Sequence, residues 1–289
     1  MLSRRDLFLG VSGLGLGGGL GSPHQTLKRL EARSGGRLGV AVVDTGAKRE
    51  IQYRYEERFP MCSTFKLLAV GAVLTRVDQG KDRLDRNVRF LKTDLVGYSP
   101  VTEKHAGGEG MTLKMLCEAA MTQSDNTAAN LILASLGGPS GVTQFARTLG
   151  DDKTRLDRIE PELNECVPGD PRDTSTPVAM LRDLQKLALG GVLSPASKHQ
   201  LTEWLVANQT GDARLRAGLP VRWRVGDKTG TGRRGTANDV AITWPPNRVP
   251  ILISVYLTGS SLDGDERDQL IAAVGHLVGA WSGANGQTR

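Results

Sequence analysis

Hydrophobic spacing divides the chain into three stretches. Near the front, "RLGVAVVDTG" (37–46) is apolar and β-branched and "REIQYRYEE" (49–57) alternates. Asp44-Thr45-Gly46 supplies a turn between them, so the pair is predicted as a β-hairpin. A helix over about 25–33 precedes it. From residue 60 to about 205 the period becomes helical, in "TFKLLAVGAVLTRV", "TLKMLCEAAMTQ", "NTAANLILASLG", "GVTQFARTLG", "TPVAMLRDLQKLAL" and "SKHQLTEWLVANQ". Many of these runs open on Ser, Thr, Asp or Pro and close near Gly, as helices do. Strand patterns then return in "WRVGDKTGTG", "TANDVAITWP" and "VPILISVYLTG", with Pro245-Pro246-Asn247 turning between the last two. "DERDQLIAAVGHLVGAW" closes the pattern as an amphipathic helix.

Strands at both ends of a helical middle predict an α/β architecture of two subdomains. An antiparallel sheet with flanking helices is assembled from residues 23–59 and 215–289, and an all-α part, 60–214, is inserted between them. The cleft between two such halves is the natural place for a small-molecule site. Residues 1–22, "MLSRRDLFLGVSGLGLGGGLGS", carry paired arginines (Arg4, Arg5) before a short, glycine-heavy apolar stretch. That resembles a twin-arginine export signal and is too short and glycine-rich for a spanning helix, so 23–289 is expected to be one exported domain with no membrane anchor.

With 289 residues and 39% hydrophobic content the chain has ample material for a core. The net charge of +6 raises nucleic acid as a partner, but acids and bases are interleaved and aromatics make up only 4%. No basic stripe with stacking aromatics is present, so nucleic-acid binding is not expected. The four histidines are isolated and no Cys/His cluster has metal-ligand spacing, so neither metal nor other cofactor is expected. Three cysteines, Cys62, Cys117 and Cys166, permit at most one bridge and are read as buried thiols. Without a G-x-S-x-G elbow, a nucleophilic serine needs a base other than histidine.

"PMCSTFKLLAV" (60–70) offers one. Ser63 and Lys66, three apart on a helix, share a face, and the helix start favours negative charge developing nearby. An ammonium among Phe65, Leu67 and Leu68 is destabilised as a cation, so Lys66 could take or relay the Ser63 proton. By itself this is weak, because S-x-x-K arises about once by chance in a chain of ordinary usage. Ser124-Asp125-Asn126 between two helical runs reads more readily, taken alone, as an N-cap. Lys228-Thr229-Gly230 at the end of an apolar strand reads more readily, taken alone, as an exposed turn.

The order of the three motifs changes their meaning. S-x-x-K, then S-D-N, then K-T-G is the motif set of class A β-lactamases and penicillin-binding proteins. The chain resembles the class A serine β-lactamases over nearly everything after the export signal, including "YSPVTEKH", "RIEPELNE", "RDTSTP" and "TGDARLRAGLP". The resemblance implies hydrolysis of β-lactam antibiotics, penicillins and also cephalosporins, by a monomer that confers resistance.

By residue, it implies that Ser63 is acylated, Lys66 is its proton partner and Ser124 shuttles a proton to the leaving lactam nitrogen. Asn126 bonds the substrate's side-chain amide; Lys228, Thr229 and Gly230 receive its carboxylate; the backbone N–H groups of Ser63 and Thr231 form the oxyanion hole. Glu160 and Asn164 hold the water that hydrolyses the acyl-enzyme. Arg158 and Asp173 close the loop carrying Glu160. Arg214 assists carboxylate binding, with Arg216 as the alternative, and Tyr98 walls the cleft. Some relatives bond the cysteine before the nucleophile to one just after K-T-G. Here that position is Gly232, which weakens any inference of carbapenem hydrolysis. The Thr231 hydroxyl fits cephalosporin activity. Two other readings share the acylation half-reaction: a D-alanyl-D-alanine carboxypeptidase and a penicillin-binding sensor domain. "EPELN" argues against both.

Overall fold

The computed structural model describes residues 22–283. The predicted hairpin is present as β1 (Arg37–Asp44) and β2 (Arg49–Tyr53), paired antiparallel. Asp44 Oδ1 accepts from the N–H groups of Gly46 and Ala47, so the aspartate organises the turn as its type requires. The late strands are β3 (Arg224–Gly232), β4 (Thr236–Trp244) and β5 (Ile251–Thr258). Together they form one five-stranded sheet in the order β2-β1-β5-β4-β3, antiparallel throughout. The two chain ends meet where β1 pairs β5.

The alternation along β5 separates two cores. Ile251, Ile253, Val255 and Leu257 face α1 (Pro23–Ser34) and α8 (Gly264–Gly283), in a cluster with Leu270, Ile271, Val274 and Val278. Leu252 and Tyr256 face the other way, into the core shared with the helical part. A strand buried on both faces shows no amphipathic alternation in burial, which is why its sequence is a continuous apolar run.

The helical part contains α2 (Phe65–Asp78), α3 (Leu113–Thr122), α4 (Asn126–Ser135), α5 (Pro139–Thr148), α6 (Pro177–Ala188) and α7 (Pro195–Val206). Residues 65–74 of α2 are buried all round, because α3 to α7 surround it. One helix departs from the predicted division: α6 lies against β1 and β5, covering the sheet's inner face as well as touching α2 and α7. The predicted export signal falls outside the described residues, except that Ser22 Oγ accepts from Gln25 N–H and caps α1.

Candidate active site

The turn that carries Ser63 is held from the sheet. Phe59–Pro60 pairs with Thr174–Ser175, a short 3-10 turn spans Cys62–Thr64, and α2 continues from it. Asn238 on β4 donates through Nδ2 to the carbonyls of Pro60 (2.9 Å) and Met61 (3.0 Å). Thr64 Oγ1 donates to Met61 O and lies 2.9 Å from the Tyr256 hydroxyl. The edge strand β3 comes so close that a Cβ at Gly230 would lie 2.7 Å from Met61 O. The glycine of K-T-G is thus required by the contact between strand and nucleophile turn.

Lys66 is wholly buried on the first turn of α2. Its ammonium donates to Ser124 O (2.7 Å), Ser124 Oγ (3.3 Å) and Asn126 Oδ1 (2.7 Å), and Glu160 Oε1 lies 3.1 Å away. Burial pushes the Lys66 pKa down, opposed by the Glu160 carboxylate. Ser63 Oγ donates to the same carboxylate oxygen, Glu160 Oε1, at 3.2 Å. Serine and lysine thus converge on one oxygen.

Glu160, fully buried, hangs on a loop fixed at several points. Asn130, one turn beyond Asn126 on α4, grips its main chain, donating to Glu160 O and accepting from Glu160 N–H, both at 2.9 Å. Asn164 Nδ2 donates to Glu160 Oε2 (2.5 Å). Arg158 Nε meets Asp173 Oδ2 at 2.6 Å, and Asp173 Oδ1 accepts from the N–H groups of Asp157 and Arg158. With Asp173 only 1% exposed, this is a buried latch and not a surface ion pair.

Ser124-Asp125-Asn126 caps a helix and lines the hollow at once. Asp125 caps α4, accepting from Ala128 N–H, and also accepts from Val101 N, Thr102 N and Thr102 Oγ1. Its two neighbours are thereby turned into the cleft, Ser124 at φ 57°. Lys228 on β3 donates to Ser124 Oγ (3.0 Å) and is buried, so K-T-G is an edge strand but not an exposed turn. Burial, reinforced by repulsion from Lys66 and Arg214, pushes the Lys228 pKa down to about 7.

Arg214 and Arg216 separate cleanly. Arg214 reaches the cleft, donating to Gly230 O, Asn238 O and Thr231 Oγ1 and pairing with Asp268. Four of its five N–H donors are thus engaged by the protein, and its charge reaches the cleft beside Thr231. Arg216 turns away to Asp227 and to the carbonyls of Leu205 and Val206. Ser63, Tyr98, Ser124, Asn126, Asn164, Arg214, Thr229, Gly230 and Thr231 line one hollow of about 390 Å³. Tyr98 stands at its rim, 61% exposed, and its carbonyl accepts from Asn126 N–H. All twelve predicted site residues fall in this hollow or directly beneath it.

Three contributors were not singled out from the sequence. Thr210 lines the hollow and shares a hydrogen bond with the Thr229 hydroxyl. Asn130 and Asn238 act one layer below. A signal existed for Asn130, an asparagine four residues after Asn126 and hence on the same helix face.

A model of the β-lactamase enzyme family matches residues 22–281. The β-lactamase CTX-M-97 of Escherichia coli is 49% identical over 257 residues, covering 89% of this chain and 88% of that protein. OXY-2 of Klebsiella oxytoca is 49% identical over 255 residues, 88% of each chain. Among solved structures, an ancestral (GNCA) class A β-lactamase superposes with a TM-score of 0.87 at 65% identity, covering 89% of this chain and 98% of that one. The polar cleft between sheet and helices, the motifs that fill it and these matches agree: the chain belongs to the β-lactamase enzyme family, among the class A serine enzymes.

Proposed function

We propose that the chain hydrolyses β-lactams through an ester on Ser63, deacylated by a water that Glu160 activates. The Ser63 hydroxyl attacks the lactam carbonyl carbon while its proton passes to Lys66, the amine 3.1 Å from the Glu160 oxygen that Ser63 also bonds. The backbone N–H groups of Ser63 and Thr231 take the developing oxyanion; removing one such donor commonly costs about 3 kcal/mol. The C–N bond then breaks, and Ser124 protonates the leaving nitrogen. Lys66 and Lys228 both donate to Ser124 Oγ and restore its proton. Lys228, Thr229 and Thr231 hold the substrate carboxylate, with the Arg214 charge behind Thr231, Gly230 lets the strand approach, Asn126 bonds the substrate amide, and Tyr98 walls the entrance.

In the second half Glu160 takes a proton from a water held with Asn164, the resulting hydroxide attacks the ester carbonyl, the bond from that carbon to Ser63 Oγ breaks, and Glu160 returns the proton to Ser63. A buried ester is long-lived unless one water is positioned and deprotonated. The observation carrying the reading is therefore Glu160 itself, bonded to both Ser63 and Asn164. A carboxypeptidase or a penicillin-binding sensor needs no such device. The Thr231 hydroxyl supports cephalosporins as substrates alongside penicillins, and the biological outcome is β-lactam resistance. We further propose that residues 1–22 direct export, by the twin-arginine route, of a single monomeric catalytic domain, 23–289. No helix among the described residues is long and apolar enough to cross a membrane.

Glu160→Gln keeps the shape and removes the base. With benzylpenicillin the variant should hold a lasting adduct on Ser63 while steady-state hydrolysis falls about 10²- to 10⁴-fold. Turnover at the wild-type rate would refute the role given to Glu160.

A further inference from the structure

The sulfurs of Cys62 and Cys166 lie 3.6 Å apart, although the residues are 104 positions apart in the chain. We propose that they are a redox pair, which a small-molecule disulfide closes into a covalent bridge that clamps the Glu160 loop to the nucleophile's turn. Neither thiol has a part in the hydrolytic chemistry, and the proposal stands independently of it. Cys62 immediately precedes Ser63 and is completely buried. Cys166 follows Asn164 by two residues and donates to its carbonyl at 3.3 Å. A disulfide needs the sulfurs at about 2.05 Å, a closure of roughly 1.5 Å from their 3.6 Å separation.

Gly232 is the third part of the arrangement. A Cβ there would lie 2.6 Å from each sulfur, so only glycine leaves the pair room to face each other. Cys117, by contrast, is packed in the helical core with Leu113, Leu116 and Met121 and serves as an internal bystander thiol.

One of the two, Cys166, is also reachable. Cys166 lines a groove of about 680 Å³ together with Arg37, Arg58, Pro60, Val167 and Arg234. This groove shares no lining residue with the catalytic hollow. A small disulfide therefore meets Cys166 without entering the active site. The two thiols are unlike: the hydrogen bond from Cys62 pulls the Cys166 pKa down, whereas the same contact and burial push Cys62 up. This makes Cys166 the attacking thiolate.

The exchange balances. The Cys166 thiolate attacks the reagent's S–S bond, forms a mixed disulfide and expels one thiolate. Cys62, losing its proton, attacks the Cys166 sulfur and expels the second. Two protein thiols are oxidised by two electrons, the reagent is reduced to two thiols, and the two protons end on them.

The test incubates folded protein with oxidised glutathione, then counts thiols after denaturation and maps the bridged peptides. One titratable thiol in place of three, a Cys62–Cys166 peptide and a thermal midpoint raised by about 5 °C or more over the dithiothreitol-treated protein are expected. Cys117→Ser should still close the bridge; Cys166→Ser should retain both remaining thiols and show no rise. Three surviving thiols, a stable glutathione adduct on Cys166 without closure, or a bridge to Cys117 would each overturn the pair. An unchanged midpoint in bridged protein would overturn the clamp.

Discussion

Asn130→Ala removes a residue that touches no reacting atom yet holds the main chain of Glu160 at both its N–H and its C=O, each at 2.9 Å. A typical hydrogen bond contributes about 0.5–1.5 kcal/mol net, and a buried backbone group left without a partner costs about 1–3 kcal/mol. Glu160 is fully buried, so the two losses together weaken the local anchor by about 2–4 kcal/mol. The Arg158–Asp173 latch and the Asn164 contact remain, so the loop shifts but does not unfold. If half the loss is felt at the carboxylate, deacylation slows about 5- to 30-fold. For an acyl-enzyme, kcat/KM reports the steps through acylation and kcat the slower hydrolysis of the ester. On benzylpenicillin, kcat and KM should therefore fall together while kcat/KM stays within about threefold. Asn130→Asp, which keeps the acceptor for Glu160 N–H, should be intermediate. An unchanged kcat, or a fall in kcat at constant KM, would refute the assignment of Asn130 to the deacylating carboxylate.

Two other groups make the account sensitive to pH. Lys228 is pushed down to about 7, so the free enzyme loses its carboxylate-binding cation above that pH. For substrates bearing a carboxylate, kcat/KM should fall about tenfold per pH unit on the alkaline side. Lys228→Arg, or a substrate esterified at its carboxylate, should lose that limb, and a limb that survives both changes would contradict the role. Asp183 lies buried against Asp151 with neither oxygen given a donor, and burial plus the Asp151 charge push it from 3.8 up to about 9. A carboxyl raised in the folded state stabilises fully only below its unfolded value, and stability declines as pH rises from about 4 to about 9. Asp183→Asn should therefore gain more over wild type at pH 8 than at pH 5, by up to about 4 kcal/mol in denaturant titrations. Equal differences at the two pH values would show that Asp183 does not titrate in this range.

The elements were legible because their signals are local. Asp44-Thr45-Gly46 encodes its own turn, and the apolar run of β5 encodes a strand buried on both faces. The position of α6 was not, since a helix's period does not say whether its apolar face meets another helix or a sheet. The residues that gather in and beneath the hollow were readable through three short motifs, whose order rather than composition carries the information, and through "RIEPELNE" for Glu160 and Asn164. What stayed hidden are contacts across the chain: Asn238 reaching Pro60 and Met61, and Thr210 meeting Thr229. The choice between Arg214 and Arg216 also needed the structure, because two residues apart on a short turn they face opposite ways. So did the convergence of Ser63 and Lys66 on Glu160 Oε1, ninety-seven positions from the serine it bonds.

The most direct test follows the intact mass of the wild-type protein mixed with a small excess of benzylpenicillin. An adduct on Ser63 that forms and then disappears as the drug is consumed is the expected result, because Glu160 and Asn164 supply the hydrolytic step. An adduct that persists after the drug is gone would contradict the central claim and leave a penicillin-trapped acceptor; no adduct and no hydrolysis would remove Ser63 as the nucleophile.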